Sequence, residues 1–325
     1  MGVAAIAALA LAWSLVPTAT PTAEAAFPGR NGRIVFSAGR YVDPSGGRTP
    51  PGYAQVRDYD IFSIASDGSG LQQLTQGSAI DGMPAWSADG RKIAFIRAGQ
   101  DTQFEFDILV MDAYGSSLIN LSQTPLYREW EPSWSPDGSK ILFQSDRAMP
   151  QVIGRVAWDF FDCDLFVMNA DGSDVVQITE GPGCQASATW SPDGRWIAFY
   201  DPAADAISLI RPDGSDRHVL STDTYRAAAP DWSPDSSSLA FFRRGARHVD
   251  VWVINVKTGR LNKLTNDSAV DRWPNWSPDG RYISFVSNRD GSYGLYRMNV
   301  DGSHVQSLVD LELPSDSPLD WGPRV

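Results

Sequence analysis

Trp276-Ser277-Pro278-Asp279-Gly280-Arg281-Tyr282-Ile283-Ser284-Phe285 is copied along the chain. Near-copies begin at Trp86-Ser87-Ala88-Asp89-Gly90, Trp134-Ser135-Pro136-Asp137-Gly138, Trp190-Ser191-Pro192-Asp193-Gly194 and Trp232-Ser233-Pro234-Asp235-Ser236. Each runs on to an aliphatic–x–Phe step: Ile93 and Phe95, Ile141 and Phe143, Ile197 and Phe199, Leu239 and Phe241. A partial copy, Trp321-Gly322-Pro323, closes the chain, and Phe27 with Ile34 and Phe36 keeps the same spacing at its start. Repeats at this period decide a fold before local propensities do.

In each copy, Pro presets φ at the second turn position, Asp accepts local backbone N–H groups, and Gly takes the left-handed conformation that reverses the chain. Between β-branched and aromatic residues this reads as a tight β-hairpin. A second apolar run follows each hairpin, as in Asp107-Ile108-Leu109-Val110-Met111, Asp164-Leu165-Phe166-Val167-Met168 and Asp250-Val251-Trp252-Val253-Ile254. Another Gly turn comes next (Asp171-Gly172-Ser173, Asp301-Gly302-Ser303), then a short strand such as Gln177-Ile178-Thr179 or Lys263-Leu264-Thr265. One repeat is therefore a four-stranded antiparallel meander, and the chain is all-β.

The repeats run nearly end to end through 325 residues with no composition shift between them, so the reading is one repeat architecture spanning 26–325. With 42% hydrophobic residues and 12 Trp there is enough apolar side chain to fill a large core. A formal charge of −12 leaves no basic stripe for phosphate backbones, which excludes nucleic acid as an expected partner.

Residues 2–16 are an apolar run of signal-peptide length, shorter than the ~20 residues of a membrane span. Ala23-Glu24-Ala25 places small residues where signal peptidase reads them, so residues 1–25 are expected to be a signal peptide cleaved before Ala26. An uncleaved anchor is the alternative. Export is thus expected, with no membrane span after cleavage and a monomeric state.

Six innermost strands require one for the first repeat, and the expected cleavage before Ala26 leaves nothing ahead of Phe27 to supply it. Residues 317–322 form an innermost strand without a repeat of their own. Pairing the two predicts a six-bladed ring closed by both ends of the chain, which also removes exposed sheet edges. In such a meander the second-to-third connections emerge on one face and the Gly hairpins on the other. The long connections 37–59, 97–105 and 146–162 therefore crown a single face, the third carrying Trp158, Phe160 and Phe161.

The pattern Pro-x-Trp-Ser-Pro-Asp-Gly, Ile-Ala-Phe, Asp-Ile-x-Val-Met, Asp-Gly-Ser, Leu-Thr resembles the repeat of TolB-type β-propellers from about Phe27 to Pro323. The resemblance implies radial sheets around a central channel, in exported proteins that bind other proteins, peptides or sugars. TolB itself carries an α/β domain ahead of its propeller, for which there is no room between the expected signal and Phe27.

Residues recurring in every repeat, the Trp and the two Asp, are expected to hold blades together. Positions five before each Trp should lie near the channel mouth, and read Asp81, Glu129, Gln185, Ala227, Asp271 and Asp316. Four carboxylates around one opening could bind Ca²⁺ or a basic group on a partner, with Arg128, Arg226 and Arg272 beside them. No other cofactor is expected. His218, His248 and His304 match no zinc or catalytic spacing, and neither a Gly-x-Ser-x-Gly elbow nor a Gly-rich phosphate loop is present. Cys163 and Cys184, the two cysteines, fall on the long-loop face of one repeat and are expected to form a disulfide in an oxidising compartment.

The functional expectation is a non-enzymatic binding module that engages a protein or peptide, or a glycan, on the long-loop face through Trp158, Phe160, Phe161, Asp81, Glu129, Asp271 and Asp316. The alternative is a propeller lyase or hydrolase acting on polysaccharide or small esters through the mouth carboxylates.

Overall fold

The computed structural model describes residues 31–40, 58–98, 106–124, 127–148, 162–221, 224, 226–245, 248–309, 313–314 and 318–324. The segment 1–25, Trp158, Phe160, Phe161 and Asp316 lie outside the described residues.

Six four-stranded antiparallel sheets form the ring. Five are meanders in simple order, with innermost strands Ile80–Trp86, Glu129–Trp134, Ala186–Trp190, Ala227–Trp232 and Asp271–Trp276. The first blade takes its innermost strand, Leu319–Pro323, from the end of the chain and pairs it antiparallel with Asn31–Arg40, placing Ile34 opposite Trp321 and Phe36 opposite Leu319. The closure expected from counting strands is the observed one. No described helix is long and apolar enough to cross a membrane.

Burial explains why the second strands depart from strict alternation. Phe36, Phe95, Phe143, Phe199, Phe241 and Phe285 are fully buried, and so are their neighbours Val35, Ala94, Leu142, Ala198, Ala240 and Ser284 on the opposite sheet face. Each blade is sandwiched between two others, so both faces lose water and both carry buried side chains. The repeat Trp is the wedge between blades. Trp134 packs on Ile108 and Val110 of the preceding blade, Trp190 on Leu165 and Val167, and Trp321 on Val286 and Leu295.

Turn chemistry follows the motif. Asp279 Oδ1 accepts the Ser277 hydroxyl at 2.7 Å and the Arg281 N–H at 3.0 Å, while Ser277 Oγ accepts the Tyr282 N–H at 2.9 Å. Gly280 has φ 69°, and in the divergent copy Ser236 adopts φ 58°. Its hydroxyl accepts the Asp193 N–H of the neighbouring blade at 3.1 Å, a bond that offsets the strain of a non-glycine in the left-handed region.

The innermost strands are irregular. Three residues before the Trp, each carries a left-handed residue: Met83, Glu131, Ser187, Ala229 and Trp273, with φ between 49° and 54°. The pairing register slips at the same place in all five, from Gly82 to Ala85 in the second blade and from Arg272 to Asn275 in the sixth. These are bulges, which sharpen the bend of a strand and re-aim its side chains where six strands converge on one axis.

Candidate functional site

Two cavities are lined by residues of the innermost strands, and the bulge residues Ser187 and Trp273 belong to both linings. On the hairpin side, a cavity of about 160 Å³ is lined by the six repeat Trp residues, by the turn prolines Pro192, Pro234 and Pro278, and by the residues just before each Trp. Those last positions read Ala85, Ser133, Thr189, Asp231, Asn275 and Asp320, so the polar acceptors of greatest reach fall in three consecutive blades. They form a relay across the seam where the chain closes. Asp231 Oδ2 accepts the Trp276 N–H at 2.6 Å, Asn275 Oδ1 accepts the Trp321 N–H at 2.8 Å, and Asp320 Oδ2 accepts the Trp86 N–H at 2.6 Å. Each blade thereby holds the backbone of the next. Farther round the ring, Glu131 accepts the Ser187 N–H and its hydroxyl.

Burial in the channel raises the Asp320 carboxyl to about 6. Asp231 is pushed well above the usual carboxylate range, first by burial and then by the charge of Asp320, against the opposing bond from the Trp276 N–H. The indole Nε1 atoms of Trp86, Trp134, Trp190, Trp232, Trp276 and Trp321 are all buried without a hydrogen-bond partner.

On the opposite face, the positions five before each Trp are not an open acidic rim. Asp81, Glu129 and Asp271 are 1%, 0% and 0% exposed. Each is locked to an arginine of its own blade: Arg97 donates to both Asp81 oxygens at 2.6 and 2.7 Å, Arg147 to Glu129 at 2.7 Å, and Arg289 to Asp271 at 3.0 Å. Burial pushes Glu129 up, opposed by its bonds from Thr124 and Arg147. Charges consumed in buried pairs do not project into the opening. No group of three or more His, Cys, Asp or Glu converges as a metal-binding set among the described residues.

Blade five breaks the pattern with Ala227, and there a second cavity of about 430 Å³ opens. It is lined by Ala186, Ser187, Tyr200, Asp205, Arg226, Ala227, Ala228, Phe242, Arg244 and Trp273. These come from blades four, five and six, on the face of the second-to-third connections. Phe242 and Trp273 meet edge to face at 5.8 Å. The Tyr200 hydroxyl donates to Asp205 at 3.0 Å, and burial, with that carboxylate beside it, raises the phenol so that it stays protonated. Backbone bonds tie the rim together, Arg226 N–H to Asp205 O at 2.6 Å and Arg244 N–H to Arg226 O at 3.1 Å. Ala227 stood in the sequence as the odd member of its column; Arg244, Tyr200 and Phe242 carried no repeat signal. Cys163 and Cys184 are disulfide-bonded on the same face, with Cα atoms 4.2 Å apart.

Comparison with known proteins gives the same architecture. Residues 165–312 match the model of the TolB beta propeller domain. The solved TolB from Acinetobacter baumannii superposes with a TM-score of 0.71 at 20% identity, over 92% of this chain and 68% of that one. An uncharacterized peptidase of Bacillus subtilis is 26% identical over 63% of this chain and 29% of its own length. Dipeptidyl-peptidase 5 of Porphyromonas gingivalis is 24% identical over 71% of this chain and 34% of its own. The chain thus spans about a third of the length of the peptidases it matches.

Proposed function

Starting from a TolB-type propeller, we propose that this protein is an exported binding module that holds a protein or peptide partner on the face of the second-to-third connections, without catalysing a reaction. The observation that carries the reading is the cavity of about 430 Å³ at the channel mouth on that face. Its volume lies in the range of ~300–1,000 Å³ typical of ligand sites, and it combines aromatic walls with a few convergent polar groups. The Cys163–Cys184 bond supports export, since such bonds persist in oxidising compartments. The test is capture from an extract of the protein's own cells by the wild type and by a Trp273→Ala, Arg244→Met variant. A partner held by the wild type and released by the folded variant supports the reading; equal capture by both overturns it.

A second reading rests on the channel carboxylates. Asp320, whose carboxyl burial raises to about 6, and Asp231, raised by the same cause, would serve as the proton donors of a hydrolase or lyase. Turnover of polysaccharide or small esters that disappears in Asp320→Asn would favour it.

A further inference from the structure

The mouth cavity also has a readable chemistry. Resting on the binding role above, we infer that it takes the carboxylate of a peptide, held by Arg244 and Arg226, with the adjoining apolar side chain laid against Phe242 and Trp273.

The charge balance is the first ground. Two guanidinium groups and one carboxylate, Asp205, line the cavity, and Asp205 already accepts the Tyr200 hydroxyl. The neighbouring mouth carboxylates Asp81, Glu129 and Asp271 are spent in buried pairs. Arg244 is exposed and makes no ion pair among the described residues, whereas Arg226 has interactions of its own. Arg244 is therefore the first contact for an incoming anion, and a planar guanidinium matches a carboxylate with two parallel hydrogen bonds. The sign is opposite to that expected from reading the mouth as a ring of acids.

The second ground is the backbone. Asp205 and Arg226 have φ values of 47° and 60°, both in the left-handed region, and are joined by the 2.6 Å bond across the cavity rim. Two non-glycine residues held in this conformation, bonded to each other at the edge of a cavity, are strain of the kind that fixes side chains for binding.

The third ground separates a peptide from an acidic sugar. Ala186, Ala227, Ala228 and Phe242 offer a hydroxyl group no side-chain partner, and the Tyr200 and Ser187 hydroxyls are already engaged by Asp205 and Glu131. A sugar buried there would leave several of its hydroxyls unpaired, at a cost for each, while an apolar side chain loses nothing.

The experiment is an NMR titration of the mature chain, following resonances of Trp273, Ala227 and Tyr200. The probes are N-acetyl-alanyl-phenylalanine with a free carboxylate, its C-terminal amide, and an α-amidated N-acetyl-phenylalanyl-glutamic acid with its glutamine counterpart. A digalacturonate is the non-peptide arm. The free acid should shift the cavity resonances, and its amide should bind at least about tenfold more weakly, as expected for loss of a charge-assisted bidentate contact. Arg244→Met, which keeps the side-chain stem and should leave the melting temperature unchanged, should bind acid no better than amide. Preference for the glutamyl probe over its glutamine counterpart assigns a side-chain carboxylate as a source, and preference for the free terminus alone assigns the chain end. Equal binding within both pairs, acid with amide and glutamyl with glutaminyl, or an unaffected Arg244→Met, overturns the carboxylate assignment alone. No shift with any peptide overturns the binding mouth as well, and preference for digalacturonate overturns the peptide.

Discussion

Asp320, in the last strand of the chain, accepts the backbone N–H of Trp86 at 2.6 Å across 234 residues of sequence. The same carboxylate receives Asn275 Nδ2 at 3.3 Å from the blade on its other side. One residue from the closing strand thus joins three blades, and the seam is held by side-chain chemistry as well as by strand pairing.

Asp320→Ala should destabilise the protein by about 1–3 kcal/mol, the cost of a buried N–H left without its acceptor. Asp320→Asn retains an oxygen for Trp86 and should cost less. Urea denaturation of both variants checks the order; equal loss in both would mean that charge, not the acceptor, holds the seam.

Stability should also fall with rising pH on account of this residue. Its carboxyl titrates at about 6 in the fold, against ~3.9 in an unfolded chain. The folded state therefore binds more protons between those values. The Asp320 contribution is fully present below about pH 4 and is lost as pH rises through about 6, up to about 3 kcal/mol. Asp231, raised for the same reason, adds in the same direction. Denaturation at pH 4.5 and 7.5 should show Asp320→Asn gaining on the wild type at the higher pH. A constant gap between them would contradict the burial argument.

The disulfide should matter for persistence of the fold rather than its formation. Cys163 and Cys184 are 21 residues apart, and a loop of that length is worth ~3 kcal/mol in the chain-entropy account. The paired double variant Cys163→Ser, Cys184→Ser should keep the β-sheet circular dichroism and melt several degrees lower. The Gln185 N–H to Cys163 O bond at 2.9 Å remains to hold the connection in place.

Arg97→Met should be costly, about 3–5 kcal/mol, because it strands the buried Asp81 carboxylate. Adding Asp81→Asn should recover part of that loss. Neither change should alter partner capture, since both groups face one another rather than the opening. A calorimetric double-mutant cycle with a parallel capture assay reads both outcomes.

The six blades, the closing strand and the disulfide were legible in the chain because repetition and counting carry them. Once Trp-Ser-Pro-Asp-Gly recurs, each copy specifies a hairpin, and a surplus strand at one end must meet the deficit at the other. Which charges project and which are consumed was decided by the tertiary structure. Asp81 reads as a free acid until Arg97, 16 residues on, is folded back against it. The bulge at Met83 and its equivalents has no residue signature, because convergence of the strands on one axis imposes it, and the relay of Asp231, Asn275 and Asp320 exists only once neighbouring blades meet. The mouth cavity arises where Ala227 interrupts a column of carboxylates, an irregularity visible in the sequence but without meaning until Arg244 and Trp273, from neighbouring strands, are placed around it.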